Sequence, residues 1–173
     1  KWYDPDVALG LPSVLGRAPG RARYLTMYGA TDFATKKDKG DFTEHGVVGI
    51  DRDHALWFTD WWFGQKTTDV TSTALVRMGG EHKTRKWAHE GGVIGNAVTP
   101  MLHAEMRSSK TYVLLEELPS NNNKVLKVAS FQARAAAGTV WLPLNRAWAK
   151  RLVEQLCAFP AGRWSRRLRW RSS

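Results

Sequence analysis

The chain has 173 residues and a formal net charge of +10, with 26 Lys and Arg against 16 Asp and Glu. This length suits one domain with a sizeable core. The basic excess predicts a polyanion partner, nucleic acid first, because Lys and Arg gain affinity by releasing counterions from phosphates. A soluble protein with a basic surface and no such partner is the alternative interpretation.

One cysteine, Cys157, excludes an internal disulfide and fits a reducing compartment. Its neighbours Leu156 and Phe159 are apolar, which predicts a buried thiol rather than a nucleophile. We find no signal peptide and no apolar run near the ~20 residues that a spanning helix needs. We therefore expect an intracellular, cytoplasmic protein.

Residues 1–22 contain Pro5, Pro12 and Pro19 together with three glycines, a composition typical of a linker or entry segment in which Trp2 and Tyr3 could pack locally. Three strands are predicted next, at 23–29, 44–50 and 55–62, and the last two are joined by a hairpin turn over Asp51–His54. Because these connections are too short for a crossover, the three strands are expected to form an antiparallel meander.

Helices and strands alternate in the rest of the chain. Predicted helices are 67–78, closed by Gly79 and Gly80, a second after Gly91 and Gly92, then 124–137 and 146–158; predicted strands are 85–89, 111–115 with a continuation to 118, and 140–142. This order predicts an α/β fold, a mixed sheet with helices on both faces.

The stretch from Tyr28 to Thr43 carries the first chemical signal. Asp32 follows an apolar run, as a strand end does, and a polar loop then leads to a second acid, Asp41. The loop holds three lysines, Lys36, Lys37 and Lys39. A carboxylate at a strand end beside a basic loop suits a divalent cation that meets phosphate. Ordinary turn or helix-cap carboxylates are the alternative interpretation.

Several segments carry a family pattern in their order and spacing. They are Asp32 with Gly40-Asp41-Phe42-Thr43, the run from Gly49 to Gln65, Trp87-Ala-His-Glu-Gly-Gly92, Lys124 to Pro143, and Phe159-Pro-Ala-Gly-Arg163. Together they resemble the nuclease domain of bacteriophage terminase large subunits. The resemblance covers about Tyr24 to Arg163, nearly the whole chain. It implies an RNase H-like fold over 23–163.

This resemblance also implies roles for individual residues. Asp32 and Glu90 match the first two acids, which would be catalytic and would bind Mg²⁺ or Mn²⁺, two ions being expected for the family. Asp41 and His89 are auxiliary candidates, although His89 should face away from Glu90 because adjacent strand residues point to opposite faces. The implied DNA-binding residues are Lys36, Lys37, Lys39 and Arg134.

Double-stranded DNA is the implied substrate, in the cytoplasm of a bacterial host, with the portal and the small terminase subunit as further partners. The family's motor needs an ATPase domain, and no Gly-rich loop ending in Gly-Lys-Ser or Gly-Lys-Thr occurs in this chain. The packaging motor is therefore not expected here.

Residues 164–173 depart from the family pattern. Where an aspartate pair and a third acid are expected, the chain has Trp164-Ser-Arg-Arg-Leu-Arg-Trp-Arg171. We favour a frameshifted reading of a decayed prophage gene, because the codons CGA-CGA-C contain GAC-GAC one base over. A functional DNA-binding tail of cations and indoles is the other explanation.

Three functions follow from these patterns. The first is a two-metal endonuclease that is weakened or inactive for lack of the third acid. The second is a DNA-binding module of the same fold without turnover. The third is an interaction domain for the portal or small terminase subunit.

Overall fold

The computed structural model describes residues 1–3, 25–34, 42–119 and 124–158. Seven strands and four helices follow one another along these residues. In chain order they are β1 (Trp2–Tyr3), β2 (Thr26–Asp32), β3 (Thr43–Ile50), β4 (Leu56–Gly64), α1 (Thr68–Glu81), β5 (Lys86–Glu90), α2 (Val93–Ser109), β6 (Leu115–Leu118), α3 (Lys124–Ala136), β7 (Val140–Pro143) and α4 (Ala147–Ala158).

All seven strands join one mixed sheet in the order β1-β7-β4-β3-β2-β5-β6. The meander is confirmed, since β2 pairs antiparallel with β3 and β3 with β4. Strand β5 lies parallel to β2 on its other side, β6 lies parallel to β5, and β7 lies parallel to β4. Three antiparallel strands extended by parallel strands beside the first of them form an RNase H-like sheet, as the resemblance implies.

Helices cover both faces of the sheet, as predicted. On one face, helices α1 and α2 pack against side chains of β3 and β5, and this cluster includes Val47, Leu75, Trp87 and Leu102. On the other face, α3 and α4 pack against β4 and β7 in a cluster that includes Phe58, Leu142, Phe131 and Leu152. These faces are called the α1/α2 face and the α3/α4 face below.

The predicted hairpin turn is built around Asp51. Its buried carboxylate accepts hydrogen bonds from the backbone N–H groups of Asp53 (3.0 Å) and Ala55 (2.8 Å), and from Trp57 Nε1 (3.0 Å). An aspartate that bonds the backbone two residues on is a typical turn-former. The turn also fixes the indole of Trp57, which stacks on Trp141 with ring centroids 4.8 Å apart.

Two details of the predicted elements are wrong. The strand predicted at 111–115 begins only at Leu115, because the preceding segment crosses α1 and buries Val113 against it. Gly79 and Gly80 do not end the first helix, which continues to Glu81. A Cβ on either glycine would overlap with Val113 or Thr111, so the glycines allow this close crossing.

The ends of the described chain also differ from expectation. Trp2 and Tyr3, expected to pack locally in the entry segment, instead pair parallel with the distant strand β7. Tyr3 is buried, and its hydroxyl donates to the Phe58 carbonyl oxygen at 2.7 Å. Residues 4–24 lie outside the described part. The thiol of Cys157 is exposed, which contradicts the predicted burial. The apolar face of α4 is formed by Trp148, Leu152 and Leu156, and the next residue is turned about 100° away.

Within the described residues, no helix combines the length and the apolar character needed to cross a membrane.

Candidate carboxylate site

Asp32 and Glu90 are the last residues of two neighbouring parallel strands, β2 and β5. The ladder between these strands runs to the pair Thr31 and His89, so Asp32 and Glu90 follow side by side, one strand spacing of about 5 Å apart. Both are exposed. The two acids that the sequence predicted as partners are therefore neighbours at one end of the sheet.

Both acids lie on the α3/α4 face. Thr31 and His89, one residue earlier, are buried at 8% and 6% exposure on the α1/α2 face, and successive strand residues alternate between faces. The ring of His89 lies edge-on to Phe33, and its Nδ1 is 3.3 Å from the Glu90 carbonyl oxygen. The expectation that His89 faces away from Glu90 is confirmed. Its auxiliary role stays a prediction.

A buried hydrogen-bond chain lies directly behind Asp32. Trp87 Nε1 donates to Thr31 Oγ1 at 2.7 Å, Thr31 Oγ1 is 2.9 Å from His45 Nδ1, and His45 Nε2 is 3.0 Å from the Thr71 carbonyl oxygen. Since a carbonyl only accepts, His45 Nε2 carries the proton. Nδ1 then accepts from the Thr31 hydroxyl, and every member of this polar chain is satisfied.

Burial keeps His45 neutral. Burial lowers the pKa of His45 to about 4, although the hydrogen bond with the Thr71 carbonyl offsets part of that shift. The imidazole stacks on Trp62 with centroids 4.9 Å apart. Gly29 lets the indole of Trp87 lie against β2, where a Cβ would overlap with the ring. Strands β2, β3 and β5 and helix α1 are thus tied together beneath the two acids.

A third carboxylate, Glu44, lies in the same row. Glu44 is the register partner of Asp32 in β3 and so faces the same side. It is engaged there, accepting from Trp61 Nε1 at 3.1 Å and pairing with an Arg151 nitrogen at 3.5 Å. The sequence did not indicate Glu44 as a site residue. The hairpin register, together with the period-two alternation of the strands, is the signal that could have found it.

The donor set suits a hard cation. Two exposed carboxylates on adjacent strand ends match Mg²⁺, which is commonly bound by one or two carboxylates with water and phosphate completing its shell. Across the described ranges, no group of three or more His, Cys, Asp or Glu side chains is arranged to hold a metal ion. Glu44, a third acid in the same row, is directed to Trp61 and Arg151. Among the described residues, Asp32 and Glu90 are the two acids that would hold an ion at this end of the sheet.

Among the remaining predicted residues, the described part of the chain contains Arg134. Asp41, Lys36, Lys37 and Lys39 lie outside the described residues. Arg134 lies on α3 at the other end of the sheet, where its Nη1 donates to the His54 carbonyl oxygen at 2.7 Å in the β3–β4 turn. Its predicted DNA contact would therefore be distant from Asp32.

The sheet beside the acids is open on the α3/α4 face. Ala30, in the interior strand β2, is exposed, as are Asp32 and Glu90. On the neighbouring strands Lys86 Nζ pairs with Glu116 Oε1 at 3.0 Å. Both partners are about two-fifths exposed, so this pair contributes little stability. The two acids thus lie on an exposed surface of the sheet rather than in a closed pocket.

Comparisons with known proteins show a weak structural likeness. A scan of protein-family models and a search of curated proteins found no match to this chain. Among solved structures, the yeast mitochondrial Holliday junction resolvase Ydc2 is similar with a TM-score of 0.42 and 9% sequence identity, over 78% of this chain and 71% of that one. A likeness this weak assigns no function or residue role.

Proposed function

We propose that this chain is a metal-dependent DNA endonuclease domain of the terminase large-subunit type, with Asp32 and Glu90 as its catalytic acids. The observation that carries this proposal is their placement side by side at the ends of parallel strands, exposed on one face. The family resemblance and the RNase H-like sheet support the same assignment.

Asp32 and Glu90 would hold the Mg²⁺ or Mn²⁺ ion between them. When bound, such an ion lowers the pKa of a water and stabilises developing charge on phosphoryl oxygens. The protein itself contributes by holding the two acids in position. The hydrogen-bond chain through Thr31 fixes the end of β2, and the β5 ladder fixes Glu90 at the same height. The net charge of +10 attracts DNA to the protein.

The finer role that we propose is cleavage of concatemeric double-stranded DNA during phage genome packaging, in the cytoplasm of a bacterial host. The portal and the small terminase subunit are the protein partners proposed with it. The third acid expected by the family falls in residues 164–173, where the sequence has arginines. We therefore expect slow cleavage, because a site short of one carboxylate binds its metal weakly.

Plasmid cleavage in Mn²⁺ tests this proposal. Wild-type protein should nick or linearise supercoiled DNA, and Asp32→Asn or Glu90→Gln should lower the rate at least about 100-fold, because a metal contributes several kcal/mol to such transition states. Glu81→Gln is the matched control, an exposed carboxylate on α1 that should leave the rate unchanged. Equal activity in all four proteins would contradict the assignment of the acids.

A DNA-binding module without turnover is the second candidate. It is favoured by the absence of a three-ligand metal cluster among the described residues and by the engagement of Glu44 with Arg151. This candidate predicts salt-dependent DNA binding with no cleavage by the wild type in any divalent metal. Binding to the portal or small terminase subunit without binding to DNA would favour the third candidate, the interaction domain.

A further inference from the structure

Two exposed phenylalanines and one partly buried arginine form a cluster next to the acids, which we call the aromatic platform. Phe42 precedes β3 and Phe63 lies near the end of β4, with 37% and 38% of their surfaces exposed. Their ring centroids are 6.2 Å apart at an angle of 66°. Arg151, from α4, places its guanidinium carbon 3.7 Å from the centroid of Phe63 and 5.0 Å from that of Phe42.

The platform shares a row with the acids. Phe63 is the register partner of Glu44, and Glu44 is the register partner of Asp32, so all three face the same side of the sheet. Two strand spacings separate Phe63 from Asp32, about 10 Å between their backbones. A nucleic-acid strand bound at Asp32 would reach the platform within a few nucleotides.

Arg151 is held in its position on the platform. Its guanidinium pairs with Glu44 at 3.5 Å, and Glu44 is itself held by the indole N–H of Trp61. A guanidinium that lies over a ring gains a cation–π attraction. The guanidinium also carries five N–H donors, and the contact with Glu44 involves only one of its nitrogens. The platform therefore combines fixed aromatic surface with a guanidinium whose charge is shared with Glu44.

We propose that Phe42, Phe63 and Arg151 form a stacking site for an unpaired base of the DNA strand bound across Asp32. This inference rests on the proposed function and adds the form of DNA that the site prefers. Proteins that bind single strands combine aromatic surfaces, on which bases stack, with cations that meet the backbone. Bases inside a duplex are already stacked, so within double-stranded DNA the platform selects positions that have unpaired nucleotides.

Binding to two DNAs tests the stacking site. A blunt duplex and the same duplex with a single-stranded tail are compared by fluorescence anisotropy in EDTA, where cleavage does not interfere. Wild-type protein should bind the tailed duplex more tightly. The double variant Phe42→Leu with Phe63→Leu keeps apolar volume but loses both rings, and it should weaken binding to the tailed duplex by roughly 5- to 150-fold, the usual effect of losing base stacking.

Three controls make the result specific. Binding of the blunt duplex by the double variant should equal that of the wild type. Phe63→Trp, which keeps a stacking surface, should bind the tailed duplex at least as well as the wild type. Tyr112→Ala removes an aromatic that is 73% exposed and lies outside the platform, and it should have no effect.

The outcomes separate the two proposals. Two results would overturn the stacking site while the proposed function stands, provided that the wild type binds DNA. In the first, the double variant binds both DNAs with wild-type affinity. In the second, it loses the same affinity for the blunt and the tailed duplex. If the wild type binds neither DNA, the proposed function itself is overturned, and the stacking site with it.

Discussion

The same three strands, β2, β3 and β5, present two opposite environments at one end of the sheet. On the α1/α2 face, Thr31, His45 and Trp87 are buried and joined by hydrogen bonds of 2.7 and 2.9 Å. On the α3/α4 face, Asp32 and Glu90 are exposed beside them. Alternation along the strands therefore separates a rigid polar core from an accessible pair of acids by a single residue.

The buried face supports the two acids on the exposed face. Two carboxylates placed one strand spacing apart repel each other, so the backbone beneath them must be fixed by other contacts. The buried chain supplies those contacts without adding charge, because His45 is neutral there. Stability is therefore expected to depend on the buried face, and metal binding on the exposed face.

Acidification should destabilise the fold through the buried histidine His45 of the α1/α2 face. The pKa of His45 falls from its ordinary 6.5 to about 4 on folding, so the unfolded chain binds the proton more tightly. Stability contributed by this group is complete above pH 6.5 and is lost as the pH falls toward 4. The full loss is roughly 3 kcal/mol, since one pKa unit corresponds to about 1.36 kcal/mol.

Urea unfolding at a series of pH values between 7 and 4 measures this loss. A His45→Gln variant should be less stable at pH 7 and should show a flatter pH dependence than the wild type. His103→Gln, which changes an exposed histidine of α2, should keep the wild-type slope. A wild-type slope retained in His45→Gln would contradict the assignment to His45.

Removal of the central hydroxyl should have the next largest effect. Thr31→Val keeps the shape of the side chain but leaves Trp87 Nε1 and His45 Nδ1 without their partner. We expect the free energy of unfolding to fall by about 2 kcal/mol, because unsatisfied buried polar groups are costly. Thr26→Val, at the exposed start of the same strand, is the control. Equal stability of the two variants in urea would rule out a structural role for the hydrogen-bond chain.

Changes on the exposed face should have the smallest effect on stability. Glu90→Gln removes one negative charge beside Asp32, and substitutions of exposed residues usually shift stability by less than about 0.5 kcal/mol. Thermal unfolding of Glu90→Gln should match that of the wild type. A destabilisation as large as that of Thr31→Val would show that the acids hold the fold together rather than serve a ligand.

Much of this architecture follows from the sequence. The short connections predicted the meander, the alternation of elements predicted the mixed sheet, and Asp32 and Glu90 were predicted to end their strands. Local patterns suffice for these features because they depend on period and turn chemistry. The convergence of Asp32 and Glu90 came from the family resemblance, because parallel pairing between β2 and β5 leaves no local signature.

Other features depend on long-range packing and were not predictable in the same way. The pairing of Trp2 and Tyr3 with β7 joins residues more than a hundred positions apart. Glu44 needed the register of the hairpin, and its partner Arg151 arrives from the last described helix. The neutral state of His45 depends on its burial between the sheet and helix α1, which no strand pattern indicates.

Mn²⁺ binding is the most direct test of a metal site at Asp32 and Glu90, because it depends on these two acids and does not require turnover. Electron paramagnetic resonance of free Mn²⁺ should show that wild-type protein and the Glu81→Gln control bind the ion with equal affinity. Asp32→Asn and Glu90→Gln should each weaken binding by at least about tenfold, since outer-shell changes alone cost 10–100-fold. Equal Mn²⁺ affinity in all four proteins would contradict a metal site at the ends of β2 and β5.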